Sequence, residues 1–457
     1  MQTGPPRRAI PHPLTPSPSP PEGRGGTPPF ELSRDQVTAL AAIPELPTYG
    51  RCLFVTGRAG TGKSTVLRKF VESTPLKAVV LAPTGLAAVQ VGGQTIHSFF
   101  NFPLGPLQLD GESVPLFKKG QAKRRLIEAL ECLVIDEVSM VRADIMDAID
   151  FSLKRNRERH DEPFGGVTVV CFGDLMQLEP VVQSGADEEM MSDRYQSAFF
   201  FDSTAVRATS LDVYELTTVH RQRDDEEFLW ALNRLRDGNT DELGIFNARV
   251  GADLGSEGVV TLTATNGRAG SINLQRLAKL TGRPTIFKAT IVGTFGRETP
   301  TEEVLALKPG AQVMFVKNGR GWVNGSLGEV TELEAERAKV KLFEGGEHWV
   351  EPETWDKKRY SWDRYSSRIT SEAVGSFTQI PLRLAWALTV HKSQGLTLEK
   401  VRLDLDRPAF SHGQSYVALS RCRTLSGLSL VRPLEPRDVI VSQRALEFVQ
   451  QSKPLPG

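Results

Sequence analysis

Val55-Thr56-Gly57-Arg58-Ala59-Gly60-Thr61-Gly62-Lys63-Ser64-Thr65 satisfies the pattern G-x-x-x-x-G-K-[ST] and follows an apolar run, 51–55, that reads as a strand. Glycines 57, 60 and 62 let the loop turn backbone N–H groups inward around phosphates, with Thr61 and Thr65 beside them. Lys63 supplies a point charge for the terminal phosphates and Ser64 a hydroxyl for Mg²⁺. A helix over about 64–72 would aim its positive end at the same anion. A bare glycine-rich turn would also fit the pattern; the flanking strand and helix favour a nucleoside triphosphate site.

Outward from that loop, residues 31–209 alternate helical patterns with short apolar strands at Ala78–Ala82, Cys132–Ile135 and Val167–Phe172. Such alternation predicts a parallel sheet covered by helices, with ligands beyond the carboxyl ends of the strands. A second α/β stretch runs over 210–299 and resumes over 380–457. Between them, 300–379 changes to short strands with glycine turns and reads as a small inserted β-barrel. Residues 1–30 hold 10 of the 29 prolines and almost nothing apolar, the composition of a disordered arm.

The chemistry concentrates at strand ends. Leu133-Val134-Ile135 delivers Asp136 and Glu137, one placed to hold the Mg²⁺ shell and the other to take a proton from an attacking water. Gln177, after the next strand, can reach the γ-phosphate or its water; Gln36, opening the first helix, has an amide able to read adenine. Arg221 and Arg421 each follow an apolar segment in the second half, where a guanidinium could neutralise charge at the γ-phosphate. Phe99, Phe100 and Phe102, beside Thr95 and His97, offer either stacking faces for bases or core packing. The segment 101–120, ending in Lys118-Lys119, is either a duplex-splitting wedge or a solvated loop.

The 457 residues are enough for two to four domains. Lys+Arg and Asp+Glu both number 55, so any nucleic-acid groove must be a local patch. Four cysteines without C-x-x-C spacing favour buried thiols in a reducing cytoplasm, and no apolar run approaches the roughly 18 residues of a bilayer span.

Taken in order, GRAGTGKST, APTGLAAVQVGGQTIHSFF, LVIDEVSM, GDLMQLEPV, ELTTVHRQ, LKPGAQVMFVKN with WVNGSLG, AWALTVHKSQGLTLEKV and GQSYVALSRCRTLSGL resemble the Pif-type and RecD-like DNA helicases of superfamily 1B over about 31–432. The resemblance implies two RecA-like domains closing on ATP and Mg²⁺, an inserted barrel, and 5′-to-3′ movement on single-stranded DNA. By motif, Gln36 would meet adenine, Lys63 and Ser64 the phosphates and metal, and Asp136 and Glu137 the metal and water. Gln177, Arg221, Gln394, Gly395 and Arg421 would line the γ-phosphate side. Thr84, Thr95, His97, Phe99, His391 and Lys392 fall in the strand-binding motifs. Glu179 stands where the pattern has a proline, and Met176 where it has an aromatic. The expected molecule is a soluble, cytoplasmic, nucleoid-associated monomer acting on forked duplexes in repair, recombination or replication. G-quadruplexes, RNA–DNA hybrids and an ATP-switched clamp that grips strands without unwinding stay open.

Overall fold

The computed structural model describes residues 32–43, 51–103, 105, 107–110, 113–182, 185–220, 225–293, 295, 299–363, 368–405, 409 and 411–452. The proline-rich arm and Arg221 lie outside them.

The apolar run before the phosphate-loop motif becomes β1 (Cys52–Gly57), buried along its whole length because it is covered on both faces. It joins β2 (Ala78–Ala82), β3 (Gln94–Thr95), β4 (Cys132–Ile135), β5 (Thr168–Phe172) and β6 (Leu211–Leu216) in a six-stranded sheet of order β3-β2-β4-β5-β1-β6. All pairings in it are parallel. Parallel strands need crossovers, so every strand ends at the same edge, where the motifs sit. Helices α1 (Arg34–Ala42) and α2 (Lys63–Ser73) cover one face, and their Ala39, Val66, Leu67 and Phe70 pack with Leu53, Val55 and Phe172.

A second parallel sheet pairs Ala387–Thr389, Val259–Thr263, Lys400–Asp404 and Leu428–Leu430 in that order. The sequence between its halves folds as antiparallel strands, with Glu347–Val350, Ala338–Leu342, Leu327–Leu333, Gln312–Phe315 and Leu382–Leu384 in one five-stranded sheet. Among the described residues its two outer strands are not paired, so the sheet is open.

Two elements cross between the halves. A long hairpin, Glu353–Asp363 with Arg368–Gln379, leans back onto the first sheet, where the Tyr360 hydroxyl accepts the Val80 N–H at 3.3 Å. The last helix, Gln443–Gln451, lays Phe448 on Phe201 with ring centroids 4.1 Å apart, and Arg444 donates to both carboxylate oxygens of Asp202. One continuous apolar core therefore runs through both sheets. No helix among the described residues is long and apolar enough to cross a membrane.

Candidate nucleotide and strand clefts

The loop after β1 opens into a cleft of about 470 Å³ lined by Ala59, Gly60, Gly62, Lys63, Ser64 and Thr65 from the first half and by Gly395, Thr397, Glu399, Arg421 and Arg423 from the second. Glu137, Gln177 and His220 complete the wall. Gly62 caps α2 at φ 81°, and a Cβ there would lie 2.3 Å from Gln36 Nε2, so both backbone and space demand glycine. Lys63 Nζ donates to the Gly57 and Arg58 carbonyls at 2.7 and 3.1 Å.

Gln36 is fully buried with its amide committed: Oε1 accepts the Ser33 N–H at 3.1 Å and Nε2 donates to the Thr61 carbonyl at 3.0 Å. In this conformation it braces the phosphate loop, and reading adenine would require it to exchange these partners. Its neighbour Asp35 accepts the Thr217 and Thr218 N–H groups, tying α1 to the segment that leads to His220.

Burial, then the charge of Glu137, pushes the Asp136 carboxyl up to about 7. Burial also raises Glu137, with Lys63 and Arg421 pulling it back. Glu137 holds φ 50° and ψ 43°, a left-handed backbone rare for a side chain of its kind and costing about 1 kcal/mol. That turn leaves it lining both this cleft and a second one. Gln177 Nε2 donates to Asp174 Oδ2 at 3.2 Å, while Arg236 Nη2 donates to Asp174 Oδ1 at 3.1 Å. Burial alone would raise the Asp174 carboxyl, but Arg236 and then Lys63 hold it below its ordinary value. Arg421, 1% exposed, is steadied by the Val417 and Ser393 carbonyls and Ser420 Oγ.

The second cleft, about 750 Å³, lies between the halves and is lined by Thr84, Leu86, Ala87, Gln90, Glu137 and Met140 on one side and Ala264, Thr265, Asn266, Thr299, Arg383, Thr389, His391, Lys392 and Gln394 on the other. Thr84 caps the helix Gly85–Gln90 and Thr265 the helix Asn266–Lys279, so each half turns a helix start toward the cleft. Gln394 lines this cleft and its neighbour Gly395 the nucleotide cleft, so the two residues part company. His391 is half-buried and burial lowers its imidazole below the usual 6.5.

Thr95 caps the helix Ile96–Phe100 through the Ser98 N–H, and burial with nearby Arg142 lowers His97. Phe99 is fully buried, edge-on to Phe100 and Tyr360 and beneath Lys123 Nζ at 3.7 Å, so in this conformation its ring presents no open face for a base. In the described part of 101–120, Leu107 and Val114 are buried and Asn156 bonds to Phe117 and Pro115, while Leu109 and Leu116 are exposed.

Motif reading assigns no role to four residues at or beside these clefts. Tyr416 accepts the Ala59 N–H of the phosphate loop at 3.2 Å; Arg236 meets Asp174; Thr265 and Arg383 line the larger cleft. Tyr416 lies inside the motif GQSYVALSRCRTLSGL, and Thr265 carried a signal of its own, a Thr-Asn-Gly after an apolar strand.

A family model described as PIF1-like helicase matches residues 31–244. The human ATP-dependent DNA helicase PIF1 is 34% identical over 434 residues, and the match takes in 92% of this chain but 63% of the human protein. ATP-dependent DNA helicase Pif1 of Bdellovibrio bacteriovorus is 32% identical over 437 residues, 92% of both chains. Among solved structures, Bacteroides Pif1 in complex with ADP-AlF4 superposes with a TM-score of 0.82 at 34% identity, covering 92% of this chain and 97% of that one. Bacteroides Pif1 bound to ssDNA superposes at 0.66 with 36% identity over the same shares. With a bacterial relative matched nearly end to end and the same parallel-sheet architecture, this chain belongs to the PIF1-like helicase family.

Proposed function

We propose that the chain is an ATP hydrolase and DNA helicase that moves 5′-to-3′ along single-stranded DNA and opens forked duplexes. One observation carries the reading: the phosphate loop and Arg421 face one cleft from opposite halves, and Glu137 borders both that cleft and the interdomain groove. Family membership supplies the polarity. The relatives' names supply ATP and DNA as the ligand classes.

The residues fit an ATP–Mg²⁺ pair. Mg²⁺ keeps waters and takes one or two protein oxygens besides phosphates, and Ser64 in the cleft wall with Asp136 just after β4 would supply them. When bound, the ion would be held by Ser64 and Asp136 and would supply positive charge to offset that of the phosphates. The phosphate loop and the start of α2 grip the anion. Glu137 takes the proton of the attacking water, Gln177 orients it, and Arg421 steadies the γ-phosphate. Arg221 is assigned the same side by motif. On the strand side Thr84, Thr95, His97, His391 and Lys392 hold phosphates and bases, and Phe99 contributes only if the hairpin over it lifts. Closing the halves on ATP and reopening them after hydrolysis would shift their relative grip on the strand, against a cost of about 1.4 kcal/mol per base-pair step.

We divide the chain into RecA-like units 31–209 and 210–299 with 380–457, and read 300–379 as a small barrel-type insertion. The proposed working unit is a monomer acting on DNA in repair, recombination or replication, in the cytoplasm and, if the source is bacterial, at the nucleoid. Unwinding of 5′-tailed and 3′-tailed forks, G-quadruplexes and RNA–DNA hybrids by the wild type and Lys63→Ala tests the proposal. Displacement confined to 5′ tails and lost in Lys63→Ala is the expected result. Tight strand binding with ATP hydrolysis but no displacement by the wild type would instead identify a clamp.

A further inference from the structure

The loop that presents Gln177 and the helix that leads to Arg421 meet at one joint. Glu179 Oε1 accepts the His412 N–H at 3.1 Å and the Ser411 hydroxyl at 3.5 Å. The His412 ring is buried with both nitrogens used: Nδ1 accepts the Ser442 N–H at 2.8 Å, so Nε2 carries the proton it donates to the Leu175 carbonyl at 2.7 Å. Gly413 follows at φ 70°, and a Cβ there would fall 2.4 Å from the Gln177 carbonyl, a contact no other residue could make. From this joint the helix Gln414–Leu419 takes Tyr416 to the phosphate loop and ends beside Arg421.

We propose that Glu179 is a positioning residue that registers the Arg421 wall of the nucleotide cleft against the Gln177 wall, acting through the turn at Ser411 and His412. The inference rests on the ATPase reading above and adds to it a link through Glu179. A proline, the residue that the resembling pattern has at this place, offers no side-chain acceptor. Without the link the turn keeps its other bonds, so the cleft survives while the approach of Arg421 to the γ-phosphate loosens. A group that acts only on the transition state lowers kcat and leaves ground-state binding alone.

The test compares full-length wild type, Glu179→Gln, Glu179→Ala and Glu179→Pro in ATP hydrolysis with oligo-dT present, with the affinity for a fluorescent ADP as a check on the fold. Glu179→Ala and Glu179→Pro should lose about tenfold in kcat with KM for ATP and ADP affinity within about twofold, the loss of a hydrogen bond to a charged group. Glu179→Gln, which keeps an acceptor oxygen, should retain most of kcat. Should Glu179→Ala fail to fold, Glu179→Pro carries the comparison. Wild-type kcat in both, equal losses in Gln and Ala, or a change confined to KM overturns the proposal. A wild type inactive with oligo-dT would instead sink the ATPase reading.

Discussion

Glu137 sits in a conformation that few side chains adopt, at the only position where the described residues show one group bordering both clefts. A strained residue at a cleft persists when its surroundings hold it there, and here β4 ends two residues earlier, at Ile135, with the intervening Asp136 N–H bonded to the Leu81 carbonyl. Its task needs an ionisable oxygen rather than shape. Glu137→Gln should therefore keep nucleotide affinity while kcat for ATP hydrolysis falls by about 10²–10⁴-fold, as measured by steady-state turnover beside nucleotide binding. Normal turnover in this variant would remove Glu137 from proton transfer. At this scale the sequence reads well where the candidate residues are consecutive: Lys63, Ser64 and Glu137 each follow a strand end and line the nucleotide cleft, while Asp136 is not among the residues lining it. It reads poorly where one side chain has two possible employers. Gln36 can serve adenine or the Thr61 carbonyl, and only coordinates show which bond is made in this conformation.

At the scale of elements, the hairpin Glu353–Asp363 with Arg368–Gln379 is the piece that local pattern could not place. Its two strands pair with each other as an antiparallel hairpin, yet nothing in their sequence names Val80 as the partner of Tyr360. The docked hairpin lies beside half-buried Lys123 of the helix Ala122–Ala129, which sits above Phe99 and near Arg359. Burial, then the Arg359 charge, lowers its ammonium to about 7 from an ordinary 10.5. Between those values the unfolded chain holds a proton that the folded chain has released, so folding gains stability as pH rises through that window. Below about 7 both states are charged and the burial cost is present in full. Lys123→Met removes the titration. It should unfold at a higher temperature than wild type at pH 6–7, and melting curves should show the gap shrinking steadily toward pH 10. A gap that stays constant would mean that Lys123 ionises as an exposed lysine does.

Over the whole molecule, the two parallel sheets were legible from their apolar strands, but the way the halves join was not. Asp174 with Arg236, Ala59 with Tyr416 and Asp202 with Arg444 pair residues 62, 357 and 242 positions apart, distances over which periodicity carries no information. The charge balance is likewise a whole-chain property with a local consequence. With 55 basic and 55 acidic residues there is no general attraction for polyanions, so on the proposed reading strand affinity comes from a local patch, for which the second cleft is the candidate. The described cations lining it are Lys392 and Arg383; His391 is kept neutral by burial at pH 7.5, and the helix starts at Thr84 and Thr265 add partial charge only. Each phosphate neutralised on a single strand contributes about −0.7 to the slope of log K against log salt, which gives about −1.4 for two cations. Anisotropy titrations of labelled oligo-dT at pH 7.5 over a range of KCl should return a slope near that value, and Lys392→Ala should flatten it by about 0.7. A much steeper slope in the wild type would mean that the strand runs over basic surface beyond the cleft between the two sheets. An unchanged slope in Lys392→Ala would place that lysine away from the phosphates.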